Sequence, residues 1–251
     1  GGTPIFIRGD ELQLGRGETI EDTAKIISGY CSALIIRTFA QSDVDQLGAF
    51  ASIPVINALT DVDHPTQLLA DWLTIRENFG TDIAGRKFVY MGDGNNMSHA
   101  WLIMGAIMGA HVVAATPSGK WAPDPVVVAV AKNIAANSGG KVEVTNDPEA
   151  AAKDASVLYT DVWMSMGDSE SDRKEKVQAL SPFAVTEHLM KMASKDSLFM
   201  HCLPAHRGEE VEANVIDGPR SVIWREAYHR RTTIQSILYH LVRGDLKGYT
   251  H

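Results

Sequence analysis

Polar side chains that can do chemistry recur just after short apolar runs of this sequence. They supply a guanidinium, an imidazole, amides, a carboxylate, a hydroxyl and a thiol, on Arg37, His64, Gln67, Asn95, Asn96, Asp161, Ser165 and Cys202. If the apolar runs are strands of doubly wound sheets, the residues that follow them converge on one crevice. Together they predict a cleft with donors for an anion, a carboxylate and a thiol. Singly, each has an ordinary interpretation as a surface cation, a helix cap, a turn amide or a loop acid.

The thiol of Cys202 lies in the most informative stretch, residues 198–211, which reads LFMHCLPAHRGEEV. Its first four residues predict a short buried strand. Pro204 lacks a backbone N–H and favours extended geometry at Leu203, so the strand is expected to stop here. This places the thiol at the carboxyl end of a strand, where open α/β sheets bind ligands. The alternative is a small buried hydrophobic residue, as many free cysteines are.

Apolar runs alternate with amphipathic stretches along the chain, which is typical of a parallel α/β architecture. Predicted strands cover residues 5–7, 33–36, 55–56, 87–91, 111–115, 141–144, 157–159 and 198–202, and residues 221–224 are expected to be short and extended. Predicted helices cover 19–28, 43–50, 64–79, 97–108, 125–137, 147–153, 185–192 and 225–242. The helix over 64–79, with Pro65 in its first turn and Gly80 at its end, is expected to bridge two lobes.

The predicted fold class is therefore α/β, with two doubly wound parallel-sheet domains joined by a long helix. The expected boundaries are 1–70, 71–224 and 225–251, the last segment being a helix that packs back on the first domain. The first domain is expected to be incomplete at its N-terminus. Gly1 and Gly2 lead directly into a β-like run, as the end of an αβ loop does.

Composition limits the class of function. The chain has 251 residues and a formal net charge of -8, which argues against nucleic acid or an anionic membrane as its main partner. Cys31 and Cys202 match no metal-ligand spacing, so free thiols in a reducing, cytoplasmic setting are expected. No apolar stretch approaches the ~18 residues that span a bilayer. Residues 1–10 do not have the pattern of a signal peptide.

The sequence also argues against two common nucleotide sites. GDGNN (92–96) follows a predicted strand like the start of a dinucleotide fingerprint, but the third glycine is missing. No acidic residue follows the next strand, which ends at Ala115. A Walker lysine pattern is absent, as is the Gly-x-Ser-x-Gly elbow of many hydrolases.

A series of motifs resembles the ornithine carbamoyltransferase family. They are IIRTF (35–39), DHPTQLLAD (63–71), GDGNNM (92–97), DVWMSMG (161–167) and HCLPAHRGEEV (201–211), in this order and spacing. QLGRGE (13–18) with DTA (22–24) also fits. The resemblance covers essentially the whole chain. SMG together with HCLP separates the ornithine enzymes from aspartate carbamoyltransferases, which resemble them in fold.

The resemblance implies transfer of a carbamoyl group from carbamoyl phosphate to the δ-amine of L-ornithine. The products are L-citrulline and phosphate, in arginine biosynthesis or in urea or arginine-deiminase metabolism. No metal and no organic cofactor is implied. Homotrimers or multiples of trimers are expected. Residues 1–70 then form the C-terminal part of a carbamoyl-phosphate-binding domain, and 71–224 form an ornithine-binding domain.

The resemblance also assigns roles to individual residues. Carbamoyl phosphate is expected to contact Arg37, His64, Gln67, Cys202, Leu203 and Arg230. Ornithine is expected to contact Asn96, Asp161, Ser165 and Met166. Catalytic roles fall to Cys202, Asp161, His64, Arg37 and Arg230. A thiolate–carboxylate pair is expected to orient or deprotonate the δ-amine.

Two departures from the family pattern bear on activity. The family's phosphate loop, Ser-x-Arg-Thr-Arg at a helix N-terminus, would belong before Gly1, so a truncated protein with little activity of its own is expected. Tyr228 and His229 stand where the family has Glu-Asn, which leaves Arg230 and Arg231 as alternatives for the last arginine.

Two other functions remain open from the sequence. One is a non-catalytic homologue or fragment that binds only an amino acid or partner chains. The other is a sister carbamoyltransferase that acts on putrescine or acetylornithine, against which the SMG motif argues. The charged run 168–176 is expected to be a solvated face, or a lid that closes on substrate.

Overall fold

The structure is a computed structural model that describes residues 2–12, 17–81, 83, 85–164 and 170–244, with no side chain described at Asp10 and Glu170. Its helices are α1 (Ile20–Tyr30), α2 (Gln41–Phe50), α3 (Pro65–Phe79), α4 (Asn96–Ile107), α5 (Pro125–Ser138), α6 (Pro148–Ala152), α7 (Arg173–Leu180), α8 (Glu187–Met192), α9 (Ala213–Ile216) and α10 (Ile223–Arg243). Its strands are β1 (Leu34–Arg37), β2 (Val55–Leu59), β3 (Lys87–Met91), β4 (His111–Ala115), β5 (Lys141–Thr145), β6 (Ala155–Thr160) and β7 (Leu198–His201). Single 3-10 turns lie at Gly9–Glu11, Gly119–Trp121, Glu170–Asp172 and Ser181–Phe183.

The described strands form two parallel sheets. β1 pairs with β2, and a five-stranded sheet has the order β5-β4-β3-β6-β7. The order runs outward from β3 in one direction and then resumes with β6 on the other side. The carboxyl ends of β3 and β6 therefore flank the point where the winding reverses, which is where ligands bind in such sheets. This confirms the predicted α/β class and locates the crevice.

The core of the larger sheet follows from its apolar strands. β6 is buried along its whole length, as expected for a parallel strand covered by helices on both faces. On one face, Trp101 of α4 packs on Tyr159 of β6 with ring centroids 4.6 Å apart. Gly105 brings α4 close to β4, since a Cβ there would lie 2.1 Å from the Val112 side chain. The sheet therefore offers a rigid base for the loops at its edge.

Helices α3 and α10 pack against each other. As predicted, α3 starts with Pro65 and ends before Gly80. Near its end Glu77 accepts hydrogen bonds from Arg225 Nε at 2.7 Å and from His229 Nε2 at 2.9 Å, both on α10. His229 is therefore part of the helix–helix contact, while the neighbouring Tyr228 is 49% exposed.

The predicted strand over residues 5–7 is wrong. These residues form no strand, and their side chains are exposed, Phe6 by 88%. A strand needs a partner for its backbone groups, and no described strand pairs with this segment. Apolar composition alone therefore misled the prediction.

Two further element predictions are wrong. Gly29 does not end α1, because Cys31 N donates to Ile27 O and the helical hydrogen bonds continue across the glycine. Residues 221–224 do not have the expected extended geometry throughout. Ser221 makes a single bridge to Phe199 of β7, and α10 already begins at Ile223. The other predicted elements agree with the structure to within three residues at each end.

The charged run 168–176 is only partly a solvated face. Its end lies in α7, where Lys176 is 2% exposed. Lys176 Nζ lies 2.6 Å from Asp93 Oδ2, in the loop after β3, and 5.1 Å from the centroid of the Trp121 ring. This buried ion pair anchors α7 to the loop at the switch point. Helix α7 follows closely after residues 165–169, which lie outside the described part of the chain.

Replacing Lys176 with methionine is expected to lower the free energy of unfolding by about 3–5 kcal/mol. The substitution removes the ammonium that neutralises the buried Asp93 carboxylate while keeping most of the side-chain volume. Urea unfolding checks this, with Lys174→Met on the exposed side of α7 as the control. Adding Asp93→Asn should recover part of the loss. Equal stability of the two lysine variants would contradict the anchoring role.

No helix within the described ranges combines the length and the apolar character needed to cross a bilayer.

Candidate active site

The first part of the site is the N-terminus of α3. Thr60 Oγ1 accepts from the backbone N–H groups of Val62 at 3.3 Å and Asp63 at 3.2 Å, which folds the loop after β2. Asp63 Oδ1 then accepts from His64 N at 2.7 Å. Pro65 begins the helix where its missing N–H costs nothing. His64 is thereby held at the entrance of α3 with only 8% of its surface exposed.

Arg230 reaches this helix terminus from α10. Its Nη1 contacts His64 Nε2 at 3.3 Å and donates to Gln67 Oε1, and its Nη2 donates to Thr66 Oγ1 at 3.3 Å. Because the guanidinium can only donate, His64 Nε2 is the accepting nitrogen and the ring proton is assigned to Nδ1. Nδ1 is buried and has no hydrogen-bond partner within the described residues. It offers a hydrogen-bond donor for an oxygen of a bound molecule.

Arg37 completes the cationic side of the site. It lies at the carboxyl end of β1 and is exposed. Burial, followed by the charges of Arg230 and Arg37, lowers the pKa of His64 to about 3. His64 is therefore a neutral imidazole at physiological pH, and the positive charge here is carried by the two arginines. Such an arrangement suits a small anion.

His64→Gln is expected to flatten the acid side of the pH–stability curve. The folded-state pKa of about 3 lies below the ordinary 6.5, so between these values unfolding takes up a proton. In the wild type this residue's contribution is complete above about pH 6.5 and declines by about 1.4 kcal/mol per pH unit on acidification. Urea unfolding from pH 4 to 7 measures how the free energy of unfolding changes with pH. The control is His188→Gln, at an exposed position of α8. Identical slopes for all three proteins would refute the buried neutral imidazole.

The second part of the site lies across the switch point. Asp161 directly follows β6 and is 8% exposed. Cys202 Sγ donates to Asp161 Oδ1 at 3.0 Å, and Asn95 Nδ2 donates to Asp161 Oδ2 at 3.2 Å. The carboxylate has a third donor in Val162 N, which donates to Oδ1 at 2.8 Å. The carboxylate, the thiol and the amide predicted from three separate strand ends thus meet in one place.

The state of Cys202 differs from the expected thiolate. Burial is the largest effect, and the negative charge and hydrogen bond of Asp161 add to it, so the pKa of Cys202 is raised well above its ordinary range. A second negative charge beside a buried carboxylate is unfavourable. Cys202 is therefore a protonated thiol that donates to Asp161, and the thiolate–carboxylate pair is corrected to a thiol–carboxylate pair.

Asn95 and Asn96 have different roles. Asn95 caps α4, where its Oδ1 accepts from Met97 N and Ser98 N, and it also accepts from the hydroxyl of Tyr90. Asn96 Nδ2 donates to Thr60 O at 3.0 Å and so ties α4 to the loop after β2. Only Asn96 was predicted to bind a ligand directly. Asn95 is the amide that contacts the site carboxylate.

The loop after β3 packs tightly because one of its residues is a glycine. A Cβ on Gly94 would lie 2.2 Å from the backbone carbon of Ala122, so no other residue fits here. Gly94 N also donates to Trp121 O at 2.9 Å. The loop after β3 is thus fixed against the Gly119–Trp121 turn, and the asparagines that follow are fixed with it.

The turn after β7 presents Cys202 and Leu203. Leu203 has φ 58° and precedes a cis proline, so the expected extended geometry is wrong. This left-handed conformation is unfavourable for a branched side chain. Buried His201 supports it, since its Nδ1 accepts from Leu203 N at 2.8 Å and its Nε2 lies 3.3 Å from Glu210 Oε1. The carboxylate and the imidazole together hold a backbone shape that the chain would not favour alone.

The cationic side and the thiol side of the site are close together. Burial lowers the pKa of Arg230, and the nearby acidic groups, Asp71 first among them, act in the opposite direction. The structure thus brings Arg37, His64, Gln67 and Arg230 near Cys202 and Asp161. Ser165 and Met166, the other expected ornithine contacts, lie outside the described residues.

The two alternatives for the last arginine have different surroundings. Arg230 enters the site, whereas the guanidinium of Arg231 lies 6.0 Å from the ring centroid of Tyr228 on the outer side of α10. The departure at Tyr228 and His229 falls on the exposed surface and on the contact with Glu77. It does not alter the cluster around His64.

Sequence reasoning missed two buried acids behind the site, Asp71 and Glu226. Both are fully buried, and Gln67 Nε2 donates to Asp71 Oδ1 at 2.8 Å and to Glu226 Oε1 at 3.2 Å. A signal was present, because Asp71 follows Gln67 by four residues and Glu226 precedes Arg230 by four. That spacing places each acid on the same helix face as a predicted site residue.

Comparisons with known proteins agree with the motifs. The family model for the carbamoyl-P binding domain of aspartate/ornithine carbamoyltransferase matches residues 1–77. The model for the Asp/Orn binding domain of the same family matches residues 84–241. The ornithine carbamoyltransferase of Pyrococcus horikoshii is 49% identical over 249 residues, covering 99% of this chain and 78% of the relative. The anabolic ornithine carbamoyltransferase of Pyrococcus furiosus is 49% identical over 247 residues, covering 98% and 77%.

Solved structures give the same result. The ornithine carbamoyltransferase structure from Pyrococcus furiosus matches with a TM-score of 0.90 and 48% identity, covering 97% of this chain and 76% of that one. A mitochondrial ornithine carbamoyltransferase from Coccidioides immitis matches with a TM-score of 0.87 and 36% identity, covering 97% and 76%. The chain belongs to the aspartate/ornithine carbamoyltransferase family.

Proposed function

We propose that this chain transfers the carbamoyl group of carbamoyl phosphate to the δ-amine of L-ornithine, giving L-citrulline and phosphate. The observation that carries the proposal is the meeting of two clusters at the switch point. A guanidinium and imidazole cluster around Arg230 is joined through Gln67 and Glu226 to the end of β7, where Cys202 pairs with Asp161. The first suits a small phosphorylated anion and the second suits an amine. The names of the relatives support the same reaction, and the anabolic name supports arginine biosynthesis.

In this proposal carbamoyl phosphate lies at the cationic side. Its phosphate and carbonyl oxygens accept from Arg37, Arg230 and the Nδ1–H of His64. Gln67 fixes the direction of the Arg230 guanidinium, and Leu203 O accepts from the carbamoyl nitrogen. Donors placed where an oxyanion develops are commonly worth about 3 kcal/mol each. Cys202 lies beside the reacting carbon as a neutral thiol, where it adds no negative charge.

Ornithine lies on the other side, held by Asn96, Asp161, Ser165 and Met166. Its neutral δ-nitrogen attacks the carbamoyl carbon, the new C–N bond forms, and the bond to the phosphate oxygen breaks with its electron pair. The nitrogen loses a proton, which phosphate carries away. Asp161, freed from the thiol, accepts from the α-ammonium. The chemistry requires positioning and charge stabilisation, with no metal or organic cofactor.

Three broader features belong to the same proposal. Residues 1–70 serve the carbamoyl phosphate side, residues 71–224 form the ornithine domain, and residues 225–251 return to the first domain. The contacts of Arg230 with His64, Thr66 and Gln67 support the return of α10 to the first domain. The protein works in the cytoplasm. It forms a homotrimer or a multiple of trimers, and sedimentation velocity tests this oligomeric state.

Competition among amines tests the substrate. With carbamoyl phosphate present, citrulline formation from L-ornithine is expected to exceed carbamoylation of putrescine or N-acetylornithine by at least about 10²-fold, because those amines leave polar groups of the site unpaired. A preference for either analogue would replace ornithine in the proposal. Absence of carbamoyl phosphate binding in isothermal titration would favour a non-catalytic homologue.

A further inference from the structure

Two carboxyl groups, on Asp71 of α3 and Glu226 of α10, meet behind the site, where the same Gln67 amide nitrogen donates to both. Both side chains are fully buried. A hydrogen bond between two carboxyl groups needs a proton on one of them, and two bare carboxylates in contact would repel strongly. Burial is the main cause that raises the pKa of Asp71 to about 7 and that of Glu226 well above its ordinary value. Near neutral pH the pair therefore retains a proton. Both Glu226 oxygens already accept N–H groups, so we assign the proton to Asp71 Oδ2, which has no other hydrogen-bond partner among the described residues and faces Glu226 as a donor.

The pair contacts both sides of the site. Gln67 Nε2 donates to Asp71 Oδ1 at 2.8 Å and to Glu226 Oε1 at 3.2 Å, which fixes the amide so that its oxygen faces Arg230. Glu226 Oε2 accepts from His201 N at 3.0 Å, at the end of β7. The next residue is Cys202. One carboxyl group thus holds the backbone that presents the thiol and the amide that directs the guanidinium.

We propose that Asp71 and Glu226 act as one positioning unit that sets the Arg230–Gln67 cluster and the Cys202 strand end at a fixed distance from each other. The proposal rests on the proposed function, in which these two sides hold the two substrates. Neither acid touches substrate. Their role is to keep the reacting groups aligned, and a misplacement of about 1 Å at such a site can cost about 10²-fold in rate.

The hydrogen-bond directions predict unequal effects of two isosteric substitutions. In Asp71→Asn, the Asn carbonyl still accepts from Gln67, and its NH2 donates to an ionised Glu226, which keeps both of its N–H partners. In Glu226→Gln, an NH2 replaces one of two oxygens that each accept an N–H, so donor meets donor at Gln67 or His201. We expect Glu226→Gln to lower kcat/KM by about 10²-fold and Asp71→Asn by less than about tenfold.

Glu77→Gln is the matched control. It weakens another contact between α3 and α10, with Arg225 and His229, without touching Gln67 or His201. If Glu226 only held the helices together, Glu77→Gln would reproduce the loss of activity. We expect kcat/KM of this variant to stay within about threefold of wild type, as for other exposed ion pairs. Thermal unfolding of each variant separates misfolding from misalignment.

The test combines citrulline kinetics with the reactivity of Cys202 toward iodoacetamide, using Cys31 as the internal reference. Glu226→Gln and Glu226→Ala should accelerate alkylation of Cys202, while Asp71→Asn and Glu77→Gln should not. Gln67→Ala combined with Glu226→Ala should cost little more than the larger single effect. Equal losses in Asp71→Asn and Glu226→Gln, or losses that multiply in the double variant, would overturn the proposal. If the full-length wild-type protein makes no citrulline, the proposed function fails, and the alkylation rates still decide whether the pair holds the strand end.

Discussion

Replacing Arg230 with lysine is expected to lower kcat/KM for citrulline formation by about 10²–10³-fold, mainly through kcat. The guanidinium bridges His64, Gln67 and Thr66 with two nitrogens, and a single ammonium cannot reproduce this fork. The charge is kept, so a loss of this size would come from geometry. The variant also leaves the buried acceptors of His64 and Gln67 without their donor, which adds a cost in the ground state.

The neighbouring arginine provides the control. Arg231→Lys changes the same residue type on the same helix, but the side chain faces Tyr228 outside the site. We expect its kcat/KM to match wild type. Steady-state kinetics with both substrates varied in turn distinguishes an effect on carbamoyl phosphate from one on ornithine. A large loss in Arg231→Lys, or wild-type activity in Arg230→Lys, would place the wrong arginine in the site.

Replacing Asp161 with asparagine is expected to lower kcat/KM by about 10³-fold, with a large rise in KM for ornithine. The carboxylate accepts from Cys202, Asn95 and Val162 N. An amide at this position presents an NH2 to the Asn95 NH2 or to the thiol, so at least one contact becomes repulsive. The negative charge proposed to bind the α-ammonium is lost as well.

Asp154→Asn is the matched control for this variant. Asp154 precedes β6 at the opposite end from Asp161 and has φ 58°, a conformation that asparagine tolerates. Cys202→Ser should be much milder than Asp161→Asn, because a hydroxyl still donates to the carboxylate. If Cys202→Ser instead abolishes activity while Asp161→Asn is mild, the thiol would be the principal group and our assignment of roles would be reversed.

Most elements were predictable because their signals are local. Continuous apolar runs gave the buried strands of the larger sheet, and Pro65 and Gly80 marked the ends of α3. The failures have two different origins, one a missing long-range partner and one local. Residues 5–7 have strand composition but no paired strand among the described residues, and the helical hydrogen bonds of α1 pass through Gly29. Whether a segment pairs with another is not written in the segment itself.

In the site, too, some features follow from local sequence signals and others depend on packing. Strand-end positions predicted that the carboxylate of Asp161 and the thiol of Cys202 would meet, because parallel strands share one carboxyl edge. The protonation of that thiol depends on burial and on the charge of its partner, which only coordinates reveal. The left-handed turn at Leu203 depends on His201 and Glu210, and the role of Glu226 depends on two elements distant in sequence. Residue types identified the chemistry, and packing decided how each group is presented.

The account depends most directly on carbamoyl transfer by this site. The full-length protein is incubated with ¹³C-labelled carbamoyl phosphate and L-ornithine. Following the labelled carbon by NMR, beside a phosphate assay, measures both products at once. We predict one citrulline for each phosphate released, with phosphate release dependent on ornithine and the rate greatly reduced in Arg230→Lys and Asp161→Asn. Phosphate release without labelled citrulline, or citrulline formation at the wild-type rate in both variants, would contradict the account.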